Sequence, residues 1–113
     1  MRTGSAGLRL RIFIHEALRS EHQPLYAAIV QLARREGLAG ATVFGGFEGY
    51  GLHRRMHTTR LVDVADDLPI IVEIVDTPEA IERFLPFLDA LVPHGTATLS
   101  PVQVVKYSAG APR

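Results

Sequence analysis

Between Gly40 and Gly51 the chain places five of its ten glycines within twelve residues. The run Gly40-Ala41-Thr42-Val43-Phe44-Gly45-Gly46-Phe47-Glu48-Gly49-Tyr50-Gly51 begins as a strand and then loses its regularity. Glycine weakens a strand interior but allows positive φ and close backbone approach, so such a run ends a strand and opens a loop beside something that comes near. The segment that follows, Leu52 to Arg60, holds Arg54, Arg55, Arg60, His53 and His57 and no acid. A glycine-rich exit followed by a basic loop is the strongest functional clue in the chain.

In the first half, Leu8, Leu10, Ile12 and Ile14 alternate with Arg9, Arg11, Phe13 and His15, which is the period of a half-buried strand. Residues 1–7 are small and polar and read as a loose tail. Pro24 opens a helix over residues 24–36, with Leu25, Ile29, Leu32 and Ala33 at helical spacing and Gly37 as its stop. Gly40 to Phe47 is the second strand. In the second half, Leu68 to Val75 is a continuous apolar strand of the kind found centrally in a sheet. Thr77-Pro78-Glu79 then starts a helix, with Thr77 as N-cap. Ile81, Phe84, Leu85, Leu88 and Leu91 mark its buried face, and Pro86 predicts a kink or an early break. Thr96 to Tyr107 carries the last strand, and Ser108 to Arg113 has no core signal. Gly45 to about Asp67 is a long irregular connection, a length usually reserved for function.

The order strand, helix, strand, strand, helix, strand is the split βαβ, ferredoxin-like α+β arrangement: four antiparallel strands with both helices on one face. The other face needs a cover, and for 113 residues that cover is another subunit, with Phe13 and the third strand contributing. At 47% hydrophobic and 21% charged residues the chain can bury a core as one domain. The formal net charge is zero, which argues against a nucleic-acid partner. There is no cysteine, so disulfides and thiolate zinc sites are excluded. No apolar run approaches the roughly 18 residues of a membrane span and the first seven residues lack a signal-peptide core, so the expected location is the cytoplasm.

Several stretches together carry a family resemblance. They are Pro24-Leu25-Tyr26, Gly37-Leu38-Ala39-Gly40-Ala41-Thr42-Val43, Gly46-Phe47-Glu48-Gly49-Tyr50-Gly51, Met56-His57-Thr58, Asp67-Leu68-Pro69-Ile70 and Val75-Asp76. In this order, over roughly residues 8 to 107, the chain resembles the PII-like (GlnB-like) signalling proteins, in the group called domain of unknown function 190. The resemblance implies a homotrimer that regulates rather than catalyses. It implies a mobile effector arm between strands two and three, here about residues 45–67. It also implies a small anionic ligand, an adenine nucleotide, in the clefts between subunits, and a partner protein such as a membrane transporter or channel. The stretch Val92 to Ser100 departs from the pattern: it has one glycine and none of the lysine that PII proteins place there against phosphates.

The candidate ligand residues are Phe44, Gly45, Gly46, Gly49, Gly51, Arg54, Arg55, His57 and Arg60. Backbone N–H groups of a glycine run can approach a phosphate, though no P-loop lysine follows it; the plain alternative is a hinge. Guanidinium forks match phosphate and carboxylate; the alternative is a solvated basic loop. Tyr26, Phe44, Phe47 and Tyr50 could stack on a base or could belong to core and interface. Phe44 and Phe47 have opposite strand parity, so one of them faces away from the core. His53 and His57 could share a metal, but no third ligand is evident. His15, His22 and His94 look incidental. Glu16 and Asp76 both end strands and could form an acid–base pair, although Asp76 beside Thr77 fits helix-start chemistry better. The rival readings are a small ferredoxin-like enzyme, a CutA-like metal-binding trimer and an interaction module without a ligand. No catalytic residue and no metal ligand is assigned.

Overall fold

The structure, a computed structural model, describes residues 2–46, 48–50, 56–58 and 68–107. In chain order the elements are β1 (Arg2–His15), β2 (Arg19–Ser20), β3 (Gln23–Pro24), α1 (Leu25–Arg35), β4 (Thr42–Gly45), β5 (Glu48–Tyr50), β6 (Met56–Thr58), β7 (Pro69–Asp76), α2 (Pro78–Leu91) and β8 (Thr96–Tyr107). Four strands form one antiparallel sheet in the order β4-β7-β1-β8. β2 with β3, and β5 with β6, form two small hairpins. This is the expected α+β, ferredoxin-like arrangement.

Alternation decides which face is buried. Leu10, Ile12 and Ile14 of β1 and Ile70, Val72 and Ile74 of β7 point to one side. There they meet Leu25, Ile29, Leu32 and Ala33 of α1 and Ile81, Phe84 and Leu88 of α2 in a single core. Each helix contributes one apolar stripe at three- and four-residue spacing, so both lie on this face.

The helix ends follow from local chemistry. The α1 terminus is a Schellman turn: Gly37 takes φ +82°, its N–H donates to Arg34 O at 3.2 Å, and Leu38 N–H donates to Ala33 O at 3.0 Å. Thr77 caps α2, its Oγ1 accepting from Ala80 N–H at 3.1 Å, with Pro78 in the first turn. Pro86 does not break α2, which continues to Leu91. A proline inside a helix costs about 3 kcal/mol. The burial of Phe84 before it and Leu88 after it, at about 1.5–3 kcal/mol each, offsets that cost.

Some boundaries differ from the sequence expectation. β4 is shorter than Gly40 to Phe47, and β7 is displaced by one residue from Leu68 to Val75. Residues 2–7 are not a tail but the first half of β1, paired with β8 from Arg2↔Tyr107 to Gly7↔Val102. Their strand character comes from this partner rather than from any pattern of their own. Gly7 fits it by lacking a side chain, since a Cβ there would lie 2.9 Å from Val104 Cγ2 and 3.1 Å from Asp76 O. The stretch expected to be irregular also contains the β5–β6 hairpin, with Glu48↔Thr58, Gly49↔His57 and Tyr50↔Met56 in register. Residues 108–113, expected to lack core contacts, lie outside the described residues.

Away from the helices the sheet has no cover within the described chain. Cross-strand register places Phe44, Ile71 and Phe13 in one row there, with Phe44 46% and Phe13 38% exposed. The next row toward the other sheet end holds Thr42, Glu73, Arg11 and Thr98. In it Arg11 Nε donates to Glu73 Oε2 at 2.7 Å. No helix among the described residues is long and apolar enough to cross a membrane.

Candidate ligand site at the base of the arm

Antiparallel register brings several chain segments to one end of the sheet. β4 leaves the sheet at Gly45, opposite Ile70, and Gly46 N–H donates to Pro69 O at 2.8 Å. Next to them, His15 ends β1 opposite Pro69, and Glu16 N–H donates to Leu68 O at 2.8 Å. On the far side, Thr96 begins β8 opposite Phe13, preceded by His94 and Gly95. The arm between strands β4 and β7 therefore starts and ends at the same sheet end as the turn that leads into β8, with β7 and β1 lying between β4 and that turn.

Two glycines in this region are fixed by close approach. A Cβ on Gly46 would lie 2.7 Å from Pro69 Cγ, so the strand can pass the proline only without a side chain there. A Cβ on Gly95 would meet Ile14 Cγ2 and Phe13 O at 3.3 Å, which draws the β8 turn tightly against β1. Gly45 has open space around it and is not sterically required.

The nine candidate ligand residues separate in the structure. Phe44, Gly45 and Gly46 lie together at the base of the arm, and Phe44 presents its ring on the uncovered face beside Ile71. Gly49 and His57 are directly opposite each other in the β5–β6 hairpin. Gly51, Arg54, Arg55 and Arg60 lie outside the described residues, as do His53 and Phe47. His15 and His94, which look incidental in sequence, lie at the same sheet end as Gly46. Only the strand order reveals this, because their spacing along the chain carries no signal.

The turn before β8 borders a small pocket of about 140 Å³, lined by Leu88, Val92, Pro93, Thr96 and Ala97 with Ile12 at its floor. Its lining mixes apolar and polar surface, its one charged group is Asp89, and it contains no cation. These residues cannot neutralise a phosphate, in agreement with the missing lysine of the sequence.

Glu16 and Asp76 do not form an acid–base pair. Glu16 follows the C-terminal end of β1, whereas Asp76 is level with Leu8 near the middle of that strand. Eight strand positions separate them, roughly 25 Å. The Asp76 carboxylate instead accepts from Thr77 N–H at 2.7 Å and Ala39 N–H at 2.8 Å, tying the start of α2 to the connection that leads into β4. Among the described residues no group of three histidine or acidic side chains is placed to hold a metal ion.

Comparison with known proteins agrees with this architecture. Residues 7–104 match the family of domain of unknown function 190, an uncharacterised conserved family. A UPF0166 protein of Aquifex aeolicus is 38% identical over 96 residues, covering 85% of this chain and 90% of its own length. A UPF0166 protein of Methanocaldococcus jannaschii is 38% identical over 79 residues, covering 70% of this chain and 72% of that protein. Among solved structures, CPII from Thiomonas intermedia K12, a nitrogen regulatory PII-like protein bound to ADP, AMP and bicarbonate, superposes with a TM-score of 0.64 at 24% identity. That match covers 90% of this chain and 91% of CPII. A PII-like signalling protein from Thermus thermophilus superposes with a TM-score of 0.53 at 23% identity, covering 88% and 89% of the two chains.

Proposed function

Because the chain belongs to the domain of unknown function 190 family and has the PII-like fold, we propose that it is a PII-like regulatory protein that binds an adenine nucleotide at the base of its arm. The observation that carries this reading is that Phe44, Gly45 and Gly46 and the His94–Thr96 turn lie at the same end of the sheet, on its two opposite edges, in a fold shared with the nucleotide-bearing CPII. The exposed Phe44 ring offers a stacking surface for a base. The phosphates need cations that the β8 turn does not supply, and Arg54, Arg55 and Arg60 of the arm are the groups for that task. Gly49, Gly51 and His57 complete the binding stretch.

The ligand acts through its difference in affinity between arm conformations. Arginines that grip phosphate in one conformation and not in another shift the population toward the first. A partner protein, such as a membrane transporter or channel, then reads the arm. The uncovered row of Phe44, Ile71 and Phe13 supports association of subunits on that face, in a homotrimer whose clefts hold the nucleotide. The protein works in the cytoplasm as a regulator and catalyses no reaction.

Calorimetric titration of the purified protein with ATP, ADP, AMP and cyclic AMP tests the ligand. Saturable binding of at least one nucleotide is expected, weakened in an Arg54→Ala/Arg55→Ala variant. No heat with any of the four overturns the nucleotide reading. Native mass spectrometry of the same sample tests the trimer, and a monomer or dimer at every concentration refutes it.

A further inference from the structure

We propose that the flank of α2 and the adjoining row of β8 form a docking groove for a basic amphipathic helix of a partner protein. The two helices do not cover their side of the sheet completely. β8 is an edge strand, and Leu99 faces the helix side because it pairs with the buried Leu10. Ala97, opposite Ile12, and Pro101, opposite Leu8, share that side. All three are exposed, Leu99 by 48%, although they stand on the same side as the core. The row of Phe44, Ile71 and Phe13 lies on the opposite side of the sheet, so subunit association there leaves these residues open.

α2 supplies the other wall. Leu88, Asp89 and Val92 line the 140 Å³ pocket together with Thr96 and Ala97, so this side of the helix looks onto β8. Glu82 and Leu85 precede Asp89 at helical spacing and share its side. The wall therefore runs Glu82, Leu85, Asp89, Val92, with apolar groups set between two exposed carboxylates. Neither carboxylate has an ion pair among the described residues. β8 has no charged residue from Thr96 to Val105, so no cation of the groove balances them. The pocket closes one end over Ile12 and is close in size to a cavity that holds a benzene ring. It takes one large apolar side chain as an anchor. Shape and charge together select the occupant. A helix with leucine or phenylalanine at three- and four-residue spacing meets Leu99, Val92 and the pocket, and lysine or arginine along its margin faces Glu82 and Asp89. Packed about 8–10 Å from α2, it becomes a third member of the helix layer, resting on the β8 edge. This docking needs neither nucleotide nor the arm.

The test is an NMR titration of the full ¹⁵N-labelled chain, without nucleotide, at an ionic strength of about 0.15 M. The probes are a synthetic amphipathic leucine–lysine peptide of about four helical turns and its leucine–glutamate counterpart. Saturable shifts are expected with the lysine peptide, centred on the amides of residues 82–92 and 96–101, and none with the glutamate peptide. Leu99→Ser and the double variant Glu82→Gln/Asp89→Asn should each weaken binding by about tenfold or more. Val43→Ser, on the exposed edge strand at the other side of the sheet, should leave it unchanged. If Leu99→Ser fails to fold, the double variant, which changes only exposed carboxylates, decides. The proposal is overturned if the lysine peptide gives no saturable shift, if its shifts lie outside this groove, or if the glutamate peptide binds as well. Unchanged affinity in the folded double variant overturns it too. So does a groove that stays silent to peptide while Leu99→Ser lowers the native mass, because a second copy of the chain is then its occupant.

Discussion

Replacing Asp76 tests how the two halves of the chain are joined. Its carboxylate accepts two backbone N–H bonds, from Thr77 at 2.7 Å and from Ala39 at 2.8 Å. The first fixes the start of α2, and the second pins the connection between α1 and β4. Hydrogen bonds to a charged group contribute about 1.5–3 kcal/mol when buried. Both of these are exposed, so solvent screening reduces each to about 1 kcal/mol. Asp76→Ala should therefore cost about 2 kcal/mol, and Asp76→Asn, which keeps one acceptor oxygen, about half as much. Urea unfolding reads this directly. With a slope of about 1–3 kcal/mol per molar, the Ala variant should lose on the order of 1 M in its midpoint. Protein concentration must be equal across variants, because association adds to apparent stability. Amide exchange at Ala39 gives an independent reading and should accelerate in Asp76→Ala. An alanine variant as stable as the parent, with the Ala39 amide still protected, would refute the reasoning.

Two further perturbations follow from the packing. Phe84, 1% exposed at the centre of the core, should cost about 3–5 kcal/mol on truncation to alanine, measured by the same urea unfolding. Gly46→Ala forces a Cβ to 2.7 Å from Pro69 Cγ, an overpacking cost of about 1–3 kcal/mol, and should lower nucleotide affinity by displacing the exit of the arm. Gly45→Ala, at a position with open space around it, should leave the urea unfolding midpoint near the parent value.

The order of the main elements is legible in the sequence because their signals are local. The alternation of Leu8 to Ile14 and the Thr77-Pro78 cap each need only a few adjacent residues. Gly37 likewise marks a helix end whose Schellman bonds lie within five residues. What the sequence does not reveal depends on partners distant in the chain. Residues 2–7 have no apolar alternation and become strand because Val102 to Tyr107 lies beside them. Glu16 and Asp76 look equivalent as acids at strand ends. In antiparallel neighbours, however, the two C-terminal ends point in opposite directions, which separates them. The same geometry that divides those acids brings His15 and His94 to the sheet end at which the arm begins. The glycine run marks Phe44 as a candidate site residue, but its place on the uncovered face follows only from pairing with Ile71.

The hydrogen bond from Gly46 to Pro69 O has a consequence for how this chain can diversify. It holds the two roots of the arm together, so everything between them is a closed loop in the polymer sense. The entropy of closing a flexible loop grows only with the logarithm of its length, about 0.6 kcal/mol for each doubling. By that measure a length change between Gly46 and Pro69 that spares the β5–β6 pairing costs less than one lost core methylene. Changes in the length of the arm therefore weigh little on the stability of the sheet beneath it.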